Sequence, residues 1–327
     1  MTIIDKIEQA KLTGRGGAGF PVATKWRAVQ SAGAKTKKPV YVICNATEGE
    51  PGVSKDKYLL EYHPEEVVKG IYLAIKELKA KKAIIYCQKK DLKKFKADLS
   101  KYIKKGPIEF FPEDGGYLCG EETTLIETIE GNRSEPRLKP PFPTEVGLYG
   151  CPTLVNNVET FYAVAKIAQG EYENTRFVSV SGAVKNPGVF EVPEKLSLIG
   201  ILQKTKNEPT GKFFLQVGGG AAGTILTADE LSVPLRGAGS IIVHLLSKTK
   251  PRELMKNWIE FFYKSNCGKC APCREGVYRL REELNKQKPD WLMMRAILET
   301  MRDVSFCPLG KSVHEPMMSF LEKIDVK

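Results

Sequence analysis

Gly14-Arg15-Gly16-Gly17-Ala18-Gly19-Phe20-Pro21 packs four glycines into six positions and leaves the main chain nearly bare of side chains. An anion or a flat ring can then reach the backbone N–H groups directly. Gly14, Gly16 and Gly19 also satisfy G-x-G-x-x-G. That fingerprint binds dinucleotides only where it leaves a buried strand. Here Ile3, Ile4, Ile7, Ala10 and Lys11 precede the loop at helical spacing, so the dinucleotide version is rejected. What remains is a plain glycine turn or a phosphate cradle, and Arg15 and Lys25 favour the cradle.

The rest of the chain shows what such a loop could serve. Pro39 to Cys44 is a short apolar run that reads as a buried strand and delivers Asn45 onto a loop. Val67, Val68, Ile71, Tyr72, Ile75 and Leu78 follow at helical intervals, Ala83 to Cys87 reads as a strand, Asp91 to Lys104 as a charged helix, and Ile108 to Phe111 as a third strand. Strands alternating with helices predict a parallel sheet covered on both faces, with ligands where the strands end in loops. Two such loops are Asn45-Ala46-Thr47-Glu48-Gly49-Glu50-Pro51-Gly52 and Asp114-Gly115-Gly116-Tyr117-Leu118-Cys119-Gly120-Glu121-Glu122, both mixing glycine with carboxylates. A helix is expected to start near Glu121, where acidic groups favour the positive end of the dipole. Pro136 to Pro143 is too proline-rich for a helix or central strand and should form a rigid surface segment presenting Lys139 and Phe142.

From about Arg176 the pattern changes to short β-like runs, Phe177 to Val180, Val189 to Val192, Phe213 to Val217 and Ser240 to Leu246, with a helix near Leu198 to Lys204. That is a second, smaller α+β domain. Its Gly218-Gly219-Gly220-Ala221-Ala222-Gly223 run is a plain turn, the preferred reading, or another close-approach loop. From Arg252 the chain reads as helices, with Leu254, Trp258, Phe261 and Phe262 at helical spacing. The expected domains are therefore 1–175, 176–250 and 251–327.

Charge restricts the function classes less than the cysteines do. With 50 basic against 39 acidic residues, a net charge of +11 admits nucleic acid, an acidic partner or a phosphorylated cofactor. Nucleic acid is set aside because the lysines fall in helical runs such as Lys89-Lys90-Asp91-Leu92-Lys93-Lys94, a solvated-face pattern. Met1 to Ala10 lacks the regions of a signal peptide and no apolar run reaches bilayer length, so a cytoplasmic chain without direct membrane insertion is expected.

Eight cysteines in such a compartment are not a disulfide framework. Cys267-Gly268-Lys269-Cys270-Ala271-Pro272-Cys273 places three thiols in seven residues, and Cys307 lies further on. Three such thiolates can wrap one face of a [4Fe–4S] cubane and leave its fourth corner to a distant ligand. Structural zinc is the alternative, though it usually takes paired C-x-x-C units or added histidines. The only histidines, His63, His244 and His314, lie outside the cluster. Cys44, Cys87, Cys119 and Cys151 read as buried small apolar residues or loop thiols. No nucleophile and base pair is visible. A phosphate-bearing cofactor loop and a cluster on one chain imply electron transfer.

GRGGAGFP, CNATEGEPG, YLCGEET, PRLKPPFP, LVNNVET and CGKCAPCREG, in that order, resemble the flavin-bearing, NADH-oxidising subunit of respiratory complex I. Related members are the diaphorase subunits of NAD-linked hydrogenases and formate dehydrogenases. The resemblance implies a Rossmann-like α/β FMN domain, a β-grasp domain of the soluble-ligand-binding type and a C-terminal helical bundle carrying an Fe–S cluster. By motif, FMN would contact Gly14, Arg15, Gly16, Gly17, Lys25, Asn45, Glu48, Tyr117, Gly120, Glu121, Val155, Asn156 and Asn157, with Leu309 approaching from the bundle. NADH would pack its adenine on Phe20 and Phe142 and meet Lys139, with Glu50 and Glu122 orienting the nicotinamide. Cys267, Cys270, Cys273 and Cys307 would hold the [4Fe–4S] cluster.

The implied reaction is hydride transfer from NADH to FMN, for which no protein acid or base is required, then single-electron transfer to the cluster. The implied partners are a separate thioredoxin-like [2Fe–2S] subunit and a further Fe–S, dehydrogenase or hydrogenase subunit. Three positions depart from the family pattern. Thr47 stands where aspartate is frequent, Ala28 replaces an aromatic, and Glu113-Asp114-Gly115-Gly116 replaces a run of small residues. Ala28 and Thr47 motivate an NADPH-linked or other-donor alternative, and a flavin-less scaffold with zinc is the alternative of another class.

Overall fold

The computed structural model describes residues 1–104 and 106–324; positions 325–327, the end of the expected helical region, lie outside them. It divides into two compact units, Met1–Gly49 with Ser54–Phe177, and Glu50–Val53 with Val178–Lys327.

The first unit opens with α1 (Ile3–Gln9), whose N-terminus is closed by a capping box between Thr2 and Asp5. A helix before the glycine loop is what the spacing predicts. The loop leads into α2 (Val22–Thr36), then β1 (Tyr41–Ala46), α3 (Lys55–Tyr62), α4 (Pro64–Leu78), β2 (Lys82–Gln88), α5 (Leu92–Leu99) and β3 (Ile108–Glu113). After them come α6 (Glu122–Ile129), β4 (Thr153–Asn157) and α7 (Val158–Gln169). The four strands are all parallel in the order β3-β2-β1-β4. Val42, Ile43, Cys44, Ile85 and Tyr86 are fully buried, as expected for a sheet covered on both faces.

The sequence pattern overextends one helix. Asp91 to Lys104 is helical only from Leu92 to Leu99: Phe95 and Leu99 are buried, whereas Tyr102 and Ile103, next at helical spacing, are only partly buried. Strand β4 replaces what the sequence showed only as a motif.

The second unit carries a mixed sheet in the order β6-β5-β9-β7-β8, built from β5 (Thr175–Gly182), β6 (Gly188–Pro193), β7 (Phe213–Val217), β8 (Thr224–Thr227) and β9 (Ser240–Leu245). Helix α8 (Leu198–Lys204) buries Leu198, Ile201 and Leu202 against Val178, Val180, Leu215, Ile241 and Val243. One helix on a mixed sheet is consistent with a β-grasp. Helices α9 (Pro251–Ser265), α10 (Ala271–Asn285), α11 (Trp291–Val304), α12 (Pro308–Ser312) and α13 (His314–Lys323) complete it.

The glycine run 218–223 is a close-approach loop, correcting its reading as a plain turn. Ala221 and Ala222 donate their N–H groups to Glu50 Oε1 at 2.8 and 3.0 Å, and Gly220 donates to the Pro51 carbonyl at 2.7 Å. A Cβ at Gly219 would sit 2.3 Å from that Glu50 oxygen, so only glycine fits. Among the described residues no helix is long and apolar enough to cross a membrane.

Candidate flavin and iron–sulfur sites

In the first unit the glycine loop closes on itself. Gly14 N–H donates to the Phe20 carbonyl at 2.9 Å, and Thr13 bridges Pro21. Gly17 and Gly19 take positive φ values of 110° and 65°, which lets the loop turn without a Cβ penalty. Arg15 is 2 % exposed, and its guanidinium donates to Tyr172 Oη at 2.8 Å while its N–H reaches Thr160 Oγ1 at 3.0 Å. The side chain thus braces the loop from behind.

The parallel sheet brings the other motif loops to the same place. A Cβ on Gly16 would lie 3.4 Å from Asn157 Cβ, one on Gly120 3.5 Å from the Thr47 carbonyl, and one on Gly49 3.1 Å from Tyr117 Cα. Asn45 Nδ2 donates to the Gly120 carbonyl at 2.8 Å. With its amide oxygen turned toward Trp26, Asn156 accepts the indole N–H at 3.0 Å and ties β4 to α2. Gly14, Gly16, Asn45, Gly120 and Asn157 therefore meet at the carboxyl end of the sheet, the usual ligand position in such folds. The Thr47 hydroxyl is buried there without a hydrogen-bond partner in the protein. A cradle of glycines with an orphaned buried hydroxyl fits a bound polar ring system such as FMN.

Beside it lies a chain of alternating charges. Lys25 Nζ is 2.8 Å from Glu122 Oε2, and Lys139 Nζ is 3.3 Å from Glu122 Oε1 and 3.1 Å from Glu121 Oε1. Glu121 is also the N-cap of α6, accepting from the N–H groups of Thr123 and Thr124 at 2.9 Å. Burial works against the Glu122 charge, but Lys25 and Lys139 outweigh it and hold the carboxyl below its ordinary range. Phe20 and Phe142 leave 52 % and 50 % of their surface exposed, enough free ring to stack on a base. Glu113, 2 % exposed, accepts from Gly115 N–H at 2.8 Å and fixes the turn before Tyr117.

A buried ionic cluster stands behind the cradle, and the sequence pattern does not reveal it. Lys55 is 1 % exposed and contacts Asp56 Oδ1 at 2.7 Å and Glu159 Oε2 at 2.9 Å. Asn157 Nδ2 donates to Asp56 Oδ2 at 2.6 Å. Glu48 accepts from the N–H groups of Asp56 at 2.9 Å and Lys57 at 3.2 Å, capping the start of α3 in place of Ser54. Burial, with the Asp56 charge second, pushes the Glu48 carboxyl up to about 7. A lysine next to an aspartate at a helix start reads as solvated surface, so nothing in the sequence marked this pair.

In the second unit none of the four cluster cysteines is tied up in a disulfide. Cys270 is the N-cap of α10, with Cys273 in its first turn, and Cys307 is the N-cap of α12. Lys269 Nζ sits over the Phe306 ring at 5.0 Å, joining the first cysteine loop to the segment of Cys307. Burial and then the neighbouring Cys270, Cys307 and Cys267 push the Cys273 thiol up to about 12, so Cys273 lies within electrostatic reach of the other three. Yet among the described residues no three His, Cys, Asp or Glu side chains gather tightly enough for a single ion. Three cysteines in seven residues with a distant fourth are the cysteine pattern of a [4Fe–4S] cluster, whereas structural zinc usually takes paired C-x-x-C units or added histidines. Ser305, whose buried hydroxyl has no partner, and Gly310, where a Cβ would meet Cys273 Cβ at 3.0 Å, line the same place. Leu309 is buried there too. Glu50, expected at the nicotinamide, has Oε1 committed to Ala221 and Ala222.

Residues 7–166 match the Nuo51 FMN-binding domain and residues 253–325 the NADH-ubiquinone oxidoreductase-F iron-sulfur binding region. The F subunit of NADH-quinone oxidoreductase from Aquifex aeolicus is 33 % identical over 98 % of this chain and 84 % of its own. The chain belongs to the F-subunit family of NADH-quinone oxidoreductase. It is thus a flavin oxidoreductase subunit with an FMN-binding domain and a 4Fe–4S-binding region, and NADH is the family's substrate. The family extends to the NAD-reducing hydrogenase HoxS subunit alpha of Cupriavidus necator, 33 % identical over 98 % of this chain and 59 % of that one. An NAD+-reducing [NiFe]-hydrogenase in its H2-reduced state superposes with a TM-score of 0.89 at 32 % identity, over 98 % of this chain. The chain spans 61 % of the length of that hydrogenase chain.

Proposed function

We propose that this chain is the NADH-oxidising flavin subunit of a larger cytoplasmic electron-transfer complex. Its partners would be a thioredoxin-like [2Fe–2S] subunit and a further Fe–S, dehydrogenase or hydrogenase subunit. The observation that carries the reading is the meeting of Gly16, Asn45, Gly120 and Asn157 at the carboxyl end of the parallel sheet. Regions 176–250 and 251–327 would be its β-grasp and cluster-bearing bundle.

Bound FMN would supply hydride acceptance from NADH, and the cluster single-electron transfer. The residues' work is binding and orientation. The N–H groups of Gly16 and Gly17 would hold the phosphate, with Gly14 closing the loop onto Phe20 and Arg15 bracing it. Asn45, Glu48, Tyr117, Gly120, Glu121, Val155, Asn156 and Asn157 would line the ring, with Lys25 nearby. Phe20 and Phe142 would clamp the adenine, Lys139 the polar groups between, and Glu50 and Glu122 the nicotinamide end. Cys267, Cys270, Cys273 and Cys307 would hold the cluster, with Leu309 beside it.

Gly16→Val tests the cradle, because a first Cβ meets only Asn157 at ordinary contact distance and the fold should persist. Flavin content is expected to collapse while iron and acid-labile sulfide remain. Unchanged flavin refutes the cradle. Flavin in the wild-type chain that NADH fails to bleach refutes the activity.

A further inference from the structure

We propose that Glu48 is the proton-holding residue of this site, taking up the proton that NADH oxidation leaves behind and passing it to water. The inference rests on the NADH-oxidising reading above.

The need for such a group is stoichiometric. When the C4–H bond of the dihydronicotinamide breaks, a hydride leaves, equal to one proton and two electrons, and NAD+ remains. An iron–sulfur cluster carries away electrons only. Each NADH oxidised to completion therefore leaves one proton at the site, and a basic atom must form the new bond to it.

The structure provides a carboxylate for this. Glu48 lies just past the end of β1, the strand that carries Asn45, where the chain comes beside Gly120 and Asn157. The charged groups that face it are Lys55 and Asp56 from α3 and, through Lys55, Glu159 from α7. The Cys44 thiol of β1 faces Asp56 from the strand side, with its own ionisation suppressed by burial. The Lys57 ammonium is drawn off to Asp91 at 3.0 Å, so Lys57 meets Glu48 only through its N–H.

One buried lysine thus faces three carboxylates, and a fully ionised cluster would carry two uncompensated negative charges. Asp56 and Glu159 both touch the lysine, whereas Glu48 has only the two N–H groups of α3. Glu48 is the member that relieves the excess by protonation. It is also only partly buried, unlike Lys55, Asp56 and Glu159, which leaves a route to water. The transfer balances: once the hydride acceptor has given up both electrons, its bond to that hydrogen breaks as an O–H bond forms on the Glu48 carboxylate, and the O–H bond breaks in turn when the proton goes to solvent.

Infrared difference spectroscopy on the flavin-loaded full chain, oxidised against NADH-reduced at pH 7, tests this. The expected result is a carboxyl C=O signal that shifts in D2O and is lost in Glu48→Gln, whose amide keeps an acceptor for α3. In Asp56→Asn the pH at which the signal is half-lost should fall, because a like charge is gone. The same carboxyl signal in Glu48→Gln, or none in wild-type chain, overturns the proposal. Flavin content and bleaching by NADH, read on the same samples, report separately on the underlying function.

Discussion

Lys25 and Glu122, 97 positions apart in sequence, form a 2.8 Å ion pair that joins the helix after the glycine loop to the start of α6. The two side chains stay 20 % and 27 % exposed, so solvent screens the pair and its coupling should be modest. In a double-mutant cycle of Lys25→Met and Glu122→Gln, urea unfolding should give a coupling of about 1 kcal/mol. Both single variants should also raise the KM for NADH. Additive effects within about 0.3 kcal/mol would mean that the pair is incidental.

Glu50 offers a different kind of test, because its carboxylate is used inside the second unit. Removing it orphans the N–H groups of Ala221 and Ala222. Glu50→Ala should cost about 1–3 kcal/mol in denaturant unfolding, and Glu50→Gln much less, since its amide oxygen can still accept. Equal losses in the two variants would show that charge, not acceptance, matters there.

Much of this architecture was legible in the sequence, for identifiable reasons. Strands such as Lys82–Gln88 are continuous apolar runs, and Leu198–Lys204 follows a Ser197 cap, signals that depend on local chemistry alone. The glycine- and asparagine-bearing motifs stood out because glycine leaves the backbone open where a ligand can come close. What stayed hidden depended on distant partners. Lys55 is buried between its neighbour Asp56 and a second carboxylate, Glu159, that lies 104 positions later. The 218–223 loop looked like a turn because Glu50, which fills it, lies far away in sequence. The charged run after Asp91 looked helical to its end because Tyr102 and Ile103 keep the spacing of Phe95 and Leu99, but those two are only partly buried and the helix stops at Leu99.

His244 makes the second unit sensitive to acid. Its ring stacks on Phe214 at 4.8 Å, and burial holds its pKa down at about 4. An unfolded histidine titrates near 6.5, so between about 6.5 and 4 the unfolded chain binds a proton that the native chain refuses. The stabilisation is therefore present above about pH 6.5 and is lost as pH falls, by about 3 kcal/mol at most. Glu48 acts in the opposite direction. Its raised pKa means that the native state binds the extra proton, so stability falls as pH rises from the ordinary carboxylate range toward about 7. Unfolding midpoints across pH should lose the acid-side slope in His244→Phe and the neutral-side slope in Glu48→Gln. Slopes that survive both substitutions would contradict the assignment.

Gly70 gives the sharpest test of how packing reaches the site, because local propensity and tertiary contact predict opposite signs. In the middle of α4 an alanine should be better than glycine by about 1 kcal/mol on propensity alone. But α4 crosses α7 at this glycine, where an added Cβ would fall 2.0 Å from the Phe161 carbonyl oxygen and 2.6 Å from its carbon. Backbone atoms cannot rotate away as a side chain can, so the two helices must separate. Overpacking of that kind costs about 1–3 kcal/mol and can exceed it. Helix α7 begins at Val158, directly after the cradle residue Asn157, and carries Glu159 of the buried cluster. Moving it disturbs the Lys55 contact as well as the cradle. Gly70→Ala should therefore lower the melting temperature and weaken FMN binding together, with iron content in the second unit unchanged. A Gly70→Ala chain that is more stable than wild type would show that propensity wins and that the crossing has room the glycine does not need.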